Sequence, residues 1–411
     1  MMSSRKRLRK PAGIRWHEIS LGDAIQVKHG FAFKSQYFSD VGEYIVLTPG
    51  NFYEKGGFRL RPGKDRYYVG DIPEEYVLEQ GDLIIAMTEQ APGLLGSSAI
   101  IPESKKYLHN QRLGLISAID EKLLDKVFLY YLFNTRSVRS QISASATGTK
   151  VRHTAPDRIY RVKVCVPKNI SEQRAIAYIL SAYDDLIENN RRRIQLLEQA
   201  ARLLYKEWFV HFRFPGYEHV KIKDGIPEGW ERKRLGDIAK IVMGQSPKSE
   251  YYNEDGIGLP FHQGVTNFGF RFPTHKTYCN IKPRIAEPGD ILFSVRAPVG
   301  RINITLDNIV IGRGLSAVKS KFGQQSFLFY SLKNYFFKED IMGRGAIFTA
   351  ITKKDLHNVE LYQPPDTLIE MFQEQVVPID HQIANLHRMI EFLVKARDLL
   401  LPRLMNGEIT V

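Results

Sequence analysis

In the stretch SEQRAIAYILSAYDDLIENNRRRIQLLEQAARLLYKEWF, the positions Ile176, Leu180, Tyr183, Ile187, Asn190, Ile194, Leu197, Ala201, Leu204 and Trp208 step by threes and fours. That spacing keeps one stripe along one side of a helix and predicts a coiled-coil seam. Phe372, Val376, Ile379, Ile383, Leu386, Ile390, Leu393, Arg397, Leu400 and Leu404 repeat the texture near the end of the chain. Pro378 lies early in this second stretch and predicts a kink or a late helix start, because proline lacks the amide donor and its ring collides with the preceding turn. Two long helices with matching stripes invite pairing. Elsewhere the runs DLIIAM, DILFSV and VKVCVP, rich in branched side chains and bounded by Gly and Pro, predict strands of a mixed sheet. Residues 216–229 are polar and punctuated by Gly and Pro, and read as a connector. The order is globular, helix, globular, helix.

The globular parts repeat as well. Trp16, Leu21-Gly22-Asp23, Gly30 and Lys34-Ser35 recur as Trp230, Leu235-Gly236-Asp237, Gly244 and Lys248-Ser249, each displaced by 214 positions (230 − 16). Farther on, EQGDLIIAM answers EPGDILFSV, QRLGLISA answers GRGLSA, and FLYYL at Phe128 answers FLFYSL at Phe327. Gly148 with Pro167 answers Gly345 with Pro364. The offset shrinks along the chain, so loops have gained or lost residues while the plan was kept.

A chain of 411 residues fits two to four domains. The 58 Lys and Arg against 45 Asp and Glu leave a net charge of +13, which favours a polyanionic partner. There is no unbroken apolar run of about 18 residues, and the basic opening MMSSRKRLRKPAG has no apolar segment behind it. A soluble, cytosolic protein without a membrane partner is expected. Cys165 and Cys279 stand apart from any CxxC or Cys/His ladder, so both read as buried small apolar residues.

The W-x4-LGD openings at Trp16 and Trp230, the GD-hydrophobic strands, the run EQRAIAYILSAYDDLIENN after Pro167 and the close LLLPRLMNGEI from Leu399 to Ile409 resemble the Type I restriction-modification specificity-subunit family. The resemblance covers nearly the whole chain. It implies an α+β protein: two α/β target recognition domains, each followed by a long helix, with the helices paired as an antiparallel coiled coil of approximate two-fold symmetry. The segments would be a first recognition domain at 1–168, a first helix at 169–213, a connector at 214–229, a second recognition domain at 230–365 and a second helix at 366–411. Each recognition domain would read one half of a bipartite, gapped site in double-stranded DNA. Two methyltransferase subunits would clamp the helices, and restriction-translocase subunits would join that assembly. About 38 helical residues at about 1.5 Å each span about 57 Å, the length of about 17 base pairs. In the first half TAPDRIYRV stands where the second has ITKKDLHNV, which leaves Arg158 and Asp355 without a family role.

Base reading calls for forked side chains on loops held by a rigid sheet. Arg112 in HNQRLG and Arg313 in IGRGLS occupy equivalent places and read as base contacts or as structural arginines paired with local carboxylates. Gln245 and Lys248, with the equivalent His29 and Lys34, surround a repeated Gly and read as contacts or as a plain turn. Asn51, His262 and Gln263 combine hydrogen-bonding side chains with Gly and aromatic neighbours. Arg296 in SVRAPVG, with Thr88 and Gln90 in MTEQAPG, follows equivalent strands, and Arg296 is the foremost single candidate. Lys150 and Arg152, with Lys353 and Lys354, suit phosphates or form a solvated basic face. On the first helix Arg191 is a candidate partner contact or a solvated flank. Tyr205, Trp208 and Phe209 read either as a partner contact or as packing at the helix end.

Catalysis has little support. An adenine methyltransferase needs a polar-Pro-Pro-aromatic loop, and Gln363-Pro364-Pro365-Asp366 lacks the aromatic. No Gly-rich loop suits a methyl donor and no GxxxxGK[ST] suits ATP. Pro156-Asp157 is followed by Arg161-Val162-Lys163, with Arg where a nuclease needs an acid, and the histidines lack metal-ligand spacing. The expectation is a non-catalytic chain without cofactor or metal. The alternatives are a diverged methyltransferase or nuclease, and a coiled-coil interaction protein with two repeated globular modules.

Overall fold

The computed structural model describes residues 15–61, 63–90, 92–336 and 350–411. Gly345, one of the repeat markers, and the basic opening through Gly13 lie outside them. The chain folds as two compact units, Met1–Asn189 with Ile390–Val411, and Asn190–Met389.

In the first unit the strand Trp16–Ser20 pairs antiparallel with Lys163–Pro167, placing Trp16 opposite Pro167 and closing the globular part on itself. Between these lies a four-stranded antiparallel sheet in the order Ile25–His29, Leu113–Ile119, Leu83–Ala86, Ser98–Ile100. The run LIIA is apolar throughout because both faces are covered. Leu83 and Ile85 join the core beneath the helices, while Ile84 and Ala86 join a second core with Ile45, Leu47 and Tyr107. That second core leads to a five-stranded sheet ordered Phe38–Ser39, Tyr67–Tyr68, Tyr44–Val46, Tyr107–Leu108, Val77–Leu78, with one parallel pair. Helices α1 (Lys126–Phe133), α2 (Arg136–Ser145) and α3 (Pro156–Tyr160) follow. Asp125 caps α1 by accepting from Val127 and Phe128. Helix α4 (Ile170–Phe209) then starts.

The second unit repeats the topology. Glu231–Arg234 pairs antiparallel with Glu360–Gln363. The four-stranded sheet runs Ala239–Met243, Leu315–Ser320, Ile291–Ser294, Ile302–Ile304, and the five-stranded sheet Tyr252–Asn253, Tyr278–Cys279, Leu259–His262, Ile309–Ile311, Ile285–Ala286. Its helices are α5 (Leu235–Ile238), α6 (Gln325–Phe336), α7 (Lys353–His357) and α8 (Asp366–Met405).

The repeated residues have repeated jobs. A Cβ on Gly30 would stand 2.1 Å from the Asn110 carbonyl oxygen, and one on Gly244 2.1 Å from that of Gly312, so each strand end fits only without a side chain. Gly81 and Gly289 both have φ of +87°, and the Asp after each accepts the amide of Glu79 or Glu287 at 2.9 Å.

Both long helices contribute to both units. In the first, Ile176 and Leu180 of α4 pack with Leu404 and Met405 of α8, and Asp184 pairs with Arg397. Rising numbers on α4 meet falling numbers on α8, which is antiparallel pairing. In the second unit Ala201, Tyr205 and Phe209 of α4 pack with Ile369, Phe372 and Val376 of α8. All ten seam positions on each helix are buried or half-buried. Helix α8 begins at Asp366 and contains Pro378, which is neither a start nor a stop. Cys165 is exposed rather than buried, because Val164 and Val166 take the inward face of its strand. The connector holds a hairpin, Ile222–Lys223 with Ile226–Pro227, turned by Asp224 and Gly225 at positive φ. Among the described residues no helix is long and apolar enough to cross a membrane.

Candidate nucleic-acid interface

In the second unit one end of the four-stranded sheet gathers several loops. Gly244 donates to the Leu315 carbonyl at 2.9 Å, Val295 to that of Gly314 at 3.0 Å, and Gly314 to that of Gln263 at 3.1 Å. Gln245, Gln263, Arg296 and Arg313 therefore come together, and all four are exposed. The Ser246 hydroxyl organises them: it accepts the Arg313 amide at 3.0 Å and donates to Gln263 Oε1 at 2.8 Å. Gly312 leaves the space that the Gln263 side chain fills, since a Cβ there would stand 2.6 Å from Oε1. Lys248 is exposed, 4.0 Å from Glu250, and Lys353 opens α7 at the surface.

The first unit builds the same end differently. Met87 donates to the Arg112 carbonyl at 3.0 Å, and the Arg112 amide donates to Asn110 Oδ1 at 3.0 Å. Thr88 pairs with His153 and Glu89 with Arg152, so Gln90 and the Lys150 turn lie at this end too. In both units an arginine has its backbone fixed by a neighbouring side-chain oxygen, Asn110 or Ser246, and its guanidinium exposed. Among the described residues no ion pair or hydrogen bond ties down the guanidinium of Arg112, Arg296 or Arg313. Such a fork, anchored at its root and open at its tip, suits the O6 and N7 acceptors of guanine.

The sequence matches the Type I restriction modification DNA specificity domain twice, over residues 14–199 and 227–386. The chain belongs to the Type I restriction-modification specificity family. It is 33% identical over 357 residues to the putative type I restriction enzyme MjaX specificity subunit of Methanocaldococcus jannaschii, covering 84% of this chain and 83% of that one. It is 24% identical to the HindI specificity subunit of Haemophilus influenzae, covering 96% and 99%. The crystal structure of a Type I restriction-modification S subunit from M. genitalium has this fold, with a TM-score of 0.60 and 17% identity over 97% of this chain and 98% of that one.

Within this family fold some candidates leave the surface. Asn51 is 2% exposed; its Oδ1 accepts the Thr48 amide at 3.0 Å and its Nδ2 donates to Asp65 at 3.0 Å, so it supports a turn. Arg152 binds Glu89 at 3.1 Å and the Ser143 hydroxyl at 2.9 Å, and Glu89 in turn accepts the amides of Gly93, Leu94 and Leu95. Arg152 thereby supports the Gln90 loop. Tyr205 and Phe209 are buried and Trp208 half-buried in the aromatic core of the second unit, which covers one side of the last turn of α4. All three pack at the helix end. Arg191 is half-buried on α4. Asp355 caps α7 with Thr352, and Arg158 holds the Thr147 turn. The sequence pattern missed the large apolar residues that stay exposed outside the seam: Tyr178, Leu186, Leu196 and Leu203 on α4, and Phe392 and Leu399 on α8.

His262 is buried too, with Nε2 2.9 Å from Nδ1 of His275, whose other nitrogen lies 3.2 Å from Asp307. Burial, reinforced by His275, lowers its pKa to about 4, and burial does the same for His109 in the first unit. Each folded unit therefore resists a proton that the unfolded chain takes up near pH 6.5. The stability each provides is complete above about pH 6.5 and falls as pH drops toward about 4, losing about 2 kcal/mol between about pH 7 and about pH 5. Urea unfolding at these two pH values should show that loss, and His262→Gln should flatten it for the second unit; an unchanged slope in the variant would contradict the assignment.

Proposed function

We propose that this chain is the DNA-recognition subunit of a Type I restriction-modification complex, with each sheet end reading one half of a bipartite site in double-stranded DNA. The observation that carries this is the duplicated sheet end, where Arg112 and Arg313 have fixed backbones and open guanidinium groups. Gln90 and Thr88 would read beside Arg112, and Gln245, Gln263 and Arg296 beside Arg313. Lys150, Lys248 and Lys353 would take phosphates, adding affinity without sequence information. The division into recognition domains at 1–168 and 230–365, a connector at 214–229 and long helices at 169–213 and 366–411 belongs to this proposal.

Specificity subunits of this family are not themselves catalysts; methylation and cleavage belong to other chains. The partners are two methyltransferase subunits and the restriction-translocase subunits. The exposed apolar side chains of α4 and α8, from Tyr178 to Leu399, would be covered by the methyltransferase subunits, replacing Tyr205, Trp208 and Phe209 as candidates. The complex would work in the cytoplasm, where the DNA is.

The salt dependence of DNA binding by the methyltransferase complex tests the phosphate part. Affinity should fall steeply and linearly on logarithmic axes, and Lys150→Ala with Lys353→Ala should reduce the slope by about 2 while weakening all sequences alike. A slope unchanged by both substitutions would remove these lysines from the interface.

A further inference from the structure

The segment Asn267-Phe268 repeats Asn51-Phe52 at an offset of 216 (267 − 51), and the same offset carries Lys55 onto Arg271. Each loop is pinched by an isolated antiparallel bridge, Phe52 to Phe58 and Phe268 to Pro273, the second loop being one residue shorter, so that Lys55 and Arg271 correspond when counted from the first residue of each bridge. Facing each loop is an equivalent Tyr and Asp. In the first unit the Tyr131 hydroxyl donates to Asp184 at 2.6 Å, and in the second the Tyr330 hydroxyl lies 3.4 Å from Asp380.

The cation differs. In the first unit Asp184 pairs with Arg397, which α8 itself supplies, while Lys55 is 75% exposed and reaches Asp398 at 2.7 Å. The position on α4 equivalent to Arg397 is Ala201, displaced by 196 as Ile176 is from Phe372. The helices thus supply no arginine there, and the loop does. Arg271 has a side chain 2% exposed; Nη1 pairs with Glu198 of α4 and donates to the Tyr330 hydroxyl at 2.9 Å, and Nη2 donates to Asp380 of α8 at 2.6 Å. The guanidinium lies 4.5 Å over the Phe329 ring. Lys333 also pairs with Glu198, so two cations face two carboxylates. Burial works to raise the Glu198 pKa, and Arg271 and Lys333 outweigh it and hold it below the ordinary carboxylate range.

We infer that Arg271 is a positioning residue for sequence recognition: it clamps the loop that follows Gln263 onto both long helices, so that reading by the second unit depends on the helix pair. This rests on the specificity reading above. A guanidinium suits the place because its planar fork holds acceptors on two helices while its face lies on the Phe329 ring, a combination that the compact ammonium of a lysine does not offer. In the first unit Lys55 makes an exposed contact to Asp398 of α8 and, among the described residues, reaches no side chain of α4.

The test uses the assembled methyltransferase complex and duplexes changed at one base in either half-site, with relative affinities measured by competition. Arg271→Ala alone leaves two buried carboxylates short of a counter-charge and threatens folding. The companion variant Arg271→Met with Glu198→Gln and Asp380→Asn removes those charges together and leaves only Lys333, whose side chain is 26% exposed and can turn its ammonium to solvent. It should melt near the wild-type temperature, lose about tenfold discrimination in one half-site and keep the other. Lys55→Ala should change neither half by more than about twofold. Arg313→Ala should relax the same half-site as the triple variant. Wild-type discrimination at both halves in the triple variant, or an equal loss at both, would overturn the clamp. Should Arg313→Ala leave both halves intact, the assignment of sheet ends to bases fails instead, and a loss confined to one half-site in the triple variant still supports the clamp.

Discussion

Phe209→Ala is expected to destabilise the second unit by about 3–5 kcal/mol, the cost of emptying a large aromatic site in a packed core. Phe209 is 4% exposed, with ring centroids of Tyr205 at 5.1 Å, Phe327 and Phe372 at 5.0 Å and Trp230 at 5.9 Å. No neighbour can collapse into the space without dismantling its own edge-to-face contacts. Trp208 and Trp230 lie in the same cluster, so intrinsic fluorescence during thermal unfolding reports the event directly. Were Phe209 a partner contact instead, the variant would melt like the wild type and lose only the affinity for methyltransferase subunits. That result would contradict the packing described here.

The second large effect concerns recognition. Arg112→Ala and Arg313→Ala should each remove about 1–3 kcal/mol of discrimination at one base pair of one half-site, about 5- to 160-fold, while the other half-site is read normally. Arg296→Ala should act on the same half-site as Arg313→Ala, because the Val295 amide binds the Gly314 carbonyl and brings the two loops together. Lysine in place of either anchored arginine should not restore discrimination, since it lacks the planar fork. Competition binding with single-base variants of each half-site measures this. Equal loss in both half-sites from any one substitution would show that the residue acts on the whole assembly rather than on a base.

Much of the architecture was legible in the sequence. The helix seams were plain because steps of three and four survive over many turns, and residues such as Ile176, Leu180, Phe372 and Val376 are fully buried where the pattern put them. The strands Leu83–Ala86 and Ile291–Ser294 were legible as apolar runs because sheet and helices cover both of their faces. The five-stranded sheets were not, since strands such as Phe38–Ser39 and Tyr278–Cys279 are two residues long and carry no periodicity. Pro378 does not delay the helix start, because a proline within a long, well-packed helix costs one hydrogen bond that seam contacts on either side outweigh. At the candidate site, Arg112 and Arg313 were legible through the repeat. Asn51 and His262 were not separable from them by residue type: the same polar groups that read a base also hold a turn, and only burial tells the two apart. The clamp at Arg271 had a signal in the repeat, Lys55 against Arg271, but its meaning depends on Ala201 standing where α8 has Arg397.

The most direct test of recognition is a base-resolution map of adenine methylation in cells carrying the cognate methyltransferase subunits, with and without this chain, and with Arg313→Ala. One gapped, bipartite motif should be methylated on both strands only when the chain is present, and Arg313→Ala should relax one half of it. A short ungapped motif, or methylation indifferent to the chain, would contradict the assignment of the two sheet ends to two half-sites.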